Sequence, residues 1–166
     1  KVSCKDIITY RPESAANNGQ LKHVVLVDCG VKANIIRCLL RRGIEVVPLV
    51  GPSSLMLALM ASGFNGQAFA FHGYLPIKSP ERQNAIKNLE RRSMSNNETE
   101  LFIETPFRNN AMLADLCKNL HPRTRLCVAC NLTCDDELII SQDISEWKKF
   151  KSDLNKKPAV FLIYAF

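Results

Sequence analysis

The sequence lacks several features that by themselves would assign a protein to a structural or functional class. No apolar run reaches the roughly 18–20 residues that a membrane span requires, so no membrane-spanning helix is expected. The first residues are polar and show no secretory signal, which favours a cytoplasmic location. No internal repeat is visible. What is present is a chain of 166 residues with an apolar fraction of 46%, enough for a real core.

The seven cysteines lack the arrangement of a disulfide framework or a metal site. Their number is odd and no secretory signal is seen, so reduced thiols are expected. Cys127 and Cys130 have the spacing of a metal or redox pair, but they lie in "RLCVACNLT", which predicts a buried strand. Residues three apart on a strand point to opposite faces, and no second Cys or His pair completes a zinc site. We therefore expect buried free thiols and no bound metal.

The chain is modestly basic, with a formal net charge of +6. An anionic partner such as RNA fits this charge, and so does solubility alone. The same two interpretations apply to a group of lysines near the C-terminus, which can contact RNA phosphates or form a solvated face. The group consists of Lys148, Lys149, Lys151, Lys156 and Lys157.

Short β-branched or aromatic runs alternate with amphipathic segments along the chain. After a polar arm, residues 1–22, strands are predicted at 23–28, 44–50, 67–71, 101–104, 125–131, 137–141 and 159–166. Helices are predicted at 31–43, 54–61, 79–92, 108–120 and 145–154, and a solvated loop at 93–100. This alternation predicts an α/β fold, a three-layer α/β/α sandwich around a mostly parallel mixed sheet.

Four segments with unusual composition each follow a predicted strand directly. They are residues 51–54, 72–76, 104–108 and 131–133. Ligands of α/β sheets bind outside the carboxyl ends of the strands, so these segments can line one rim. A helix that begins at Ser53 or Ser54 would offer unpaired N–H groups there. The alternative is that all four are ordinary turns between strands and helices.

Three motifs carry a family resemblance. "VVPLVGPSSLMLALMASGFNGQAFAFHGYLP", "ELFIETPFRN" and "ACNLT" occur in this order. The region from about residue 45 to residue 166 resembles the C-terminal half of the tetrapyrrole methylase family, in particular the branch of ribosomal-RNA small-subunit 2′-O-methyltransferases. The resemblance implies a cleft for S-adenosylmethionine and methyl transfer to RNA or a tetrapyrrole.

The resemblance also implies roles for individual residues. Cofactor contacts are expected at Ser53, Ser54, Phe102, Ile103, Glu104, Asn131, Leu132, Thr133, Pro158 and Ala159. The substrate entrance is expected at Tyr74, Thr105 and Arg108. Methyl transfer needs mainly in-line positioning of an activated donor, so no catalytic residue is assigned.

Residues 1–47 resemble a different family. "DCGVKANIIRCLLRRG" is similar to the start of the amidotransferase domain in the small subunit of carbamoyl phosphate synthetase. The nucleophilic Cys of that family has no counterpart, so glutamine hydrolysis is not expected. The two resemblances imply a chimera joined near Ile44–Pro48, with residues 1–47 and 48–166 packed as one composite domain. An inactive structural domain is therefore the alternative to a methyltransferase, and exposed strand edges could pair in a homodimer.

Three polar side chains near the strand ends have two interpretations each. His72 can act as a general base for a ribose hydroxyl, or it can simply satisfy a turn. Glu104 can accept a hydrogen bond from a ribose or an amine, or it can cap the turn at Thr105. Arg108 can bind an anionic substrate, or it can pair with Glu104.

Overall fold

The computed structural model of the chain describes residues 22–27, 33–49, 51–151 and 153–166. Residues 1–21 of the predicted arm lie outside the described residues. The chain divides into two compact units, Lys1–Ser53 and Ser54–Phe166.

The first unit contains a parallel βαβ motif, as the sequence predicts. Its elements are β1 (Lys22–Val27), α1 (Ala33–Leu40) and β2 (Ile44–Leu49). The two strands pair in parallel, with Val24 opposite Val46. Gly43 ends the helical segment with a φ of 70°, a conformation that glycine adopts without strain. The proposed junction therefore lies within a regular strand.

The second unit is a five-stranded mixed sheet with helices. Its elements are α2 (Ser54–Ser62), β3 (Phe69–Tyr74), α3 (Ser79–Asn96), β4 (Thr99–Glu104), α4 (Asn109–Asn119), β5 (Arg125–Cys130), β6 (Leu138–Asp143), α5 (Ile144–Trp147) and β7 (Ala159–Tyr164). The strand order is β3-β4-β7-β5-β6, so β3 and β6 are the edges. Pairing of such edges between two copies stays a prediction. No helix in the described part of the chain is long and apolar enough to cross a bilayer.

The mixed α/β class is confirmed, but parallel pairs are fewer in this sheet than the sequence predicts. Only β3 and β4 run parallel, whereas β7 runs antiparallel to both β4 and β5, and β5 and β6 form an antiparallel hairpin. The hairpin reverses the chain direction at β6, and β7 runs in the same direction as β6, so β7 is antiparallel to the strands on both of its sides. The predicted helix 145–154 between β6 and β7 is reduced to α5, which is only four residues long.

Two hydrophobic clusters cover the two faces of the sheet. The larger joins α3, α4 and α5 through side chains such as Ile86, Leu116 and Trp147. The smaller joins α2 to the opposite face. Cys130 belongs to the first cluster and Cys127 to the second, so the predicted opposition of the two thiols is confirmed. The arrangement is the predicted three-layer sandwich.

The predicted solvated loop at 93–100 is wrong. Helix α3 continues to Asn96, and β4 begins at Thr99. Ser93 is fully buried, and its hydroxyl donates to the Glu98 carbonyl (2.6 Å) and accepts from the Ala165 amide (2.9 Å). The segment is polar in composition, but Ser93 can be buried because its hydrogen bonds are made inside the fold.

Helix α3 begins at Ser79, where its predicted range begins. Lys78 is the N-cap and makes no side-chain capping bond, while Ser79 and Pro80 are already helical. Proline is tolerated at this position, because its missing N–H would be unpaired there anyway.

Candidate functional site

A recess opens where the ends of several strands meet in the second unit. β3, β4 and β5 end at this edge of the sheet, and β7 begins there because it runs antiparallel to β4 and β5. The recess has a volume of about 330 Å³. Its lining is formed by Ser54, Tyr74, Ile103, Glu104, Pro106, Ala129, Asn131, Leu132, Cys134, Pro158, Ala159 and Val160.

Most of the residues predicted to form the site are brought together here. All four predicted segments contribute to the lining, so the expected convergence at one rim is found in the structure. The predicted residues that line the recess are Ser54, Tyr74, Ile103, Glu104, Asn131, Leu132, Pro158 and Ala159. They come from five separate parts of the chain, which is why no single motif could define the recess.

Five predicted residues do not line the recess. Phe102 is fully buried in the opposite cluster and stacks on Phe161 with ring centroids 5.3 Å apart. Alternation puts Phe102 on the opposite face of the sheet from Ile103. Glu104 shares the face of Phe102 but reaches the recess because it is the last residue of β4. Ser53 belongs to the first unit. Thr105 and Thr133 are next to lining residues in the chain, and Arg108 contacts Glu104, but none of the three lines the recess.

Glu104 is committed to local bonds. Its side chain is 1% exposed, and its Oε1 accepts hydrogen bonds from the Thr105 amide (2.6 Å) and from Nε (3.0 Å) and Nη2 (2.7 Å) of Arg108. The structural interpretations of both side chains therefore hold: Glu104 caps its turn, and Arg108 neutralises it. A buried carboxylate needs such partners.

The loop after β5 has an unusual backbone. Asn131 and Thr133 have φ values of 48° and 69°. Asn tolerates the left-handed region, whereas a β-branched Thr there is strained, and strain of this kind clusters at functional sites. The Thr133 amide donates to Glu137 Oε2 (2.7 Å), and the Asn131 amide donates to the Pro158 carbonyl (3.0 Å). This last bond ties two walls of the recess together.

Sequence reasoning missed the residue that holds the Pro158 wall. Asn109 is fully buried at the start of α4, and its Nδ2 donates to the carbonyls of Leu154 (2.9 Å) and Lys157 (2.8 Å). The Lys156 amide also donates to the Pro106 carbonyl (2.8 Å). The turn before β7 is therefore anchored to the helix that follows β4. These partners are distant in sequence, so no local pattern indicates them.

Sequence reasoning also missed four residues that line the recess, namely Pro106, Ala129, Cys134 and Val160. Pro106 follows β4 within a predicted segment, but no role was assigned to it. Cys134 is exposed, although the default expectation was a buried thiol. Cys127 and Cys130 do follow that expectation: burial raises the pKa of the Cys127 thiol to about 12 and also raises the pKa of the Cys130 thiol. These two thiols are therefore poor nucleophiles and poor metal ligands.

The remaining polar candidates lie outside the recess. His72 is on β3, where its Nε2 contacts the buried carboxylate of Glu100, and it does not line the recess. Of the lysine group, Lys149 pairs with Glu146 (2.9 Å), and Lys157 lies 3.6 Å from Asp136. Within the described ranges, no cluster of three or more His, Cys, Asp or Glu side chains could hold a metal.

The chain is similar in sequence to bacterial proteins named Ribosomal RNA small subunit methyltransferase I. The protein of Neisseria meningitidis serogroup B is 35% identical over 118 residues, which cover 71% of this chain and 39% of the relative. The protein of Vibrio cholerae serotype O1 is 31% identical over 127 residues, which cover 75% of this chain and 43% of the relative. The chain thus spans less than half the length of these relatives. No protein-family model matches it.

A solved methyltransferase shares the fold. Cobalt precorrin-4 methyltransferase, a cobalamin biosynthetic enzyme, has a TM-score of 0.55 and 16% identity, covering 81% of this chain and 58% of that chain. The comparisons support the methylase resemblance. None of them shows the resemblance of residues 1–47 to carbamoyl phosphate synthetase, which stays a prediction. The chain is therefore homologous to part of the ribosomal RNA small subunit methyltransferase I proteins and has the α/β fold of a solved methyltransferase.

Proposed function

We propose that the second unit is part of an S-adenosylmethionine-dependent methyltransferase, that its recess holds the nucleoside portion of the donor, and that the methyl acceptor is RNA. The main support for this proposal is the position of the recess. Its walls come from the ends of β3, β4 and β5 and the start of β7, the position at which α/β sheets bind ligands. Sequence relatives named as methyltransferases support the same conclusion.

The chemistry of the lining suits a nucleoside. Ile103, Leu132 and Ala159 provide apolar surface for a base, and Pro158 adds a rigid wall. Ser54, exposed at the first residue of α2, offers its hydroxyl and a helix-start N–H to polar atoms. Asn131 adds a further polar residue to the lining. Phe102 is not proposed as a contact, since it belongs to the opposite core.

S-adenosylmethionine, when bound, would supply a methyl group that is already activated. The residues of this chain would then bind and orient the donor and exclude water from one side of it. Glu104 and Arg108 would act as a fixed ion pair at the rim rather than as separate acid and base. Tyr74, which is 61% exposed, would face the acceptor.

RNA is favoured over a tetrapyrrole as the acceptor. The relatives in sequence are named ribosomal RNA methyltransferases, whereas the corrin methyltransferase shares only the fold. The net charge of +6 suits an anionic polymer. The free thiols among the described cysteines fit the cytoplasmic location that this function would require.

Isothermal titration calorimetry with S-adenosylhomocysteine tests the proposal. We expect binding heat that is abolished by Ser54→Trp, because Ser54 lines the recess and is exposed enough to accept a larger side chain without unfolding. Ser79→Trp is the matched control, since Ser79 is also the exposed first residue of a helix and lies outside the recess. Absence of heat from the unmodified chain would favour the alternative, an inactive structural domain.

A further inference from the structure

Three aromatic side chains stand exposed along β3. Phe69 is 42% exposed, Phe71 47% and Tyr74 61%. Buried aromatics dominate protein cores, so three exposed ones on a six-residue strand need an explanation. We refer to Phe69, Phe71 and Tyr74 as the β3 aromatic row. Among the strands that the structure describes, β3 pairs only with β4, so the row lies at an edge of the sheet.

A β-bulge brings all three rings onto one face of the sheet. Phe69 is opposite Thr99, Phe71 is opposite Leu101, and Tyr74 is opposite Ile103. The three partners alternate along β4 and therefore share a face. Strict alternation along β3 would have put Gly73 in the place of Tyr74. The register shift between Phe71 and Tyr74 inserts one extra residue and corrects this.

The bulge is held firmly in place. Gly73 has a φ of 68°, which glycine adopts at no steric cost. On the other face of the sheet, His72 contacts the carboxylate of Glu100, whose side chain is fully buried. Arg92 adds a second charge partner, with its Nε 3.2 Å from Glu100 Oε1. Bulges next to active sites commonly re-aim a side chain, and this one aims Tyr74.

We propose that the β3 aromatic row is a stacking platform for single-stranded RNA and leads the acceptor nucleotide to the recess. Tyr74 belongs both to the row and to the lining of the recess, so the two surfaces are continuous. Phe69 and Phe71 lie two residues apart, about 6.6 Å along the strand. Aromatic rings on a sheet face stack two or three bases in other RNA-binding domains. This inference rests on the proposed function, because it takes the acceptor to be RNA.

Fluorescence anisotropy with a labelled, unstructured RNA of about 12 nucleotides tests the platform. Phe71→Leu keeps an apolar side chain but removes the ring, and we expect RNA binding to weaken by about 5- to 100-fold. Phe71→Tyr keeps the ring and should bind within about 3-fold of the unmodified chain. Phe166→Leu, at an aromatic residue that is 75% exposed but outside the row, should change nothing. An RNA duplex should bind more weakly than the single strand.

Three results would overturn the inference. The first is equal RNA affinity for Phe71→Leu and the unmodified chain. The second is equal affinity for duplex and single strand. The third is a fall in mass by light scattering when Phe71 is replaced by Leu, which would assign the row to a contact between copies. Thermal melts confirm that each variant is folded.

Calorimetry with S-adenosylhomocysteine on the same samples separates this inference from the proposed function. Phe71 does not line the recess, so Phe71→Leu should retain the binding heat while RNA affinity falls. If Phe71→Leu binds RNA as tightly as the unmodified chain and the binding heat is also retained, the platform is rejected and the donor site is not. Absence of heat in the unmodified chain would reject the donor site, whatever the RNA data show.

Discussion

Replacing Asn109 with Ala should destabilise the second unit and open one wall of the recess. The side chain is fully buried, and its Nδ2 donates to two carbonyls, those of Leu154 and Lys157, at 2.9 and 2.8 Å. These bonds fix the turn that leads to Pro158. The substitution therefore removes two hydrogen bonds and leaves two carbonyls without this donor.

The magnitude follows from the number of bonds. A neutral hydrogen bond contributes about 0.5–1.5 kcal/mol, and a buried group left unpaired costs about 1–3 kcal/mol. The Oδ1 atom of Asn109 has no partner, so removing it relieves part of this cost. We expect the free energy of unfolding to fall by about 2–3 kcal/mol. S-adenosylhomocysteine should also bind more weakly, because the Pro158 wall is no longer held.

Urea unfolding, monitored by circular dichroism, measures this change. The urea concentration at the midpoint should fall, while the slope of the unfolding free energy against urea concentration stays the same. Asn119→Ala is the matched control, since it replaces the same residue type in the same helix at a less buried position. The control removes one partly buried hydrogen bond, from Asn119 Nδ2 to the Asp115 carbonyl (2.8 Å), and should cost no more than about 1 kcal/mol. If Asn109→Ala is as stable as the control, the anchoring role assigned to this amide is wrong.

Three further predictions concern the core, the thiols and the buried carboxylate. Trp147→Phe should cost about 2–3 kcal/mol in urea unfolding, because the indole donates to the Leu126 carbonyl at 2.8 Å; an unchanged midpoint would contradict this. Iodoacetamide should label the exposed Cys134 well before Cys127, and S-adenosylhomocysteine should slow the first reaction; equal rates would refute the burial argument. Burial raises the pKa of Glu100 above 4.5, so the folded chain holds more protons than the unfolded chain and loses stability as the pH rises from 4.5. Glu100→Gln should flatten this dependence, and an unchanged pH profile would show that another group causes it.

The rim of the recess was predictable because its signals are local. Each segment that lines it follows a strand with a clear apolar pattern, and the ends of such strands in an α/β sheet share an edge. Ser54 and Asn131 could be placed there from the sequence alone. Helix α4 was equally predictable, because its apolar residues recur at helical spacing, and Met112 and Leu116 are buried.

What the sequence could not predict depends on contacts between distant residues. The direction of β7 is set by its place between β4 and β5, and a strand run alone does not encode it. The amide of Asn109 meets carbonyls about 45 residues later in the chain. The family resemblance implied a cofactor contact at Phe102, although alternation along β4 separates its side chain from that of Ile103.

The bulge in β3 was missed, although the sequence contains a signal for it. A glycine inside a strand pattern suggests a bulge, and Gly73 follows His72 directly. The strand was instead predicted to end at Phe71, which put His72 in a turn. The contact between His72 and the buried Glu100 shows why the strand continues, since the histidine is paired across the sheet.

Hydrogen–deuterium exchange with and without S-adenosylhomocysteine reports which part of the chain binds the donor. We expect slower exchange at the backbone amides of residues 131–134 and 159–160, with β6 unchanged. Identical exchange in both samples, or protection confined to segments away from the recess, would contradict this expectation.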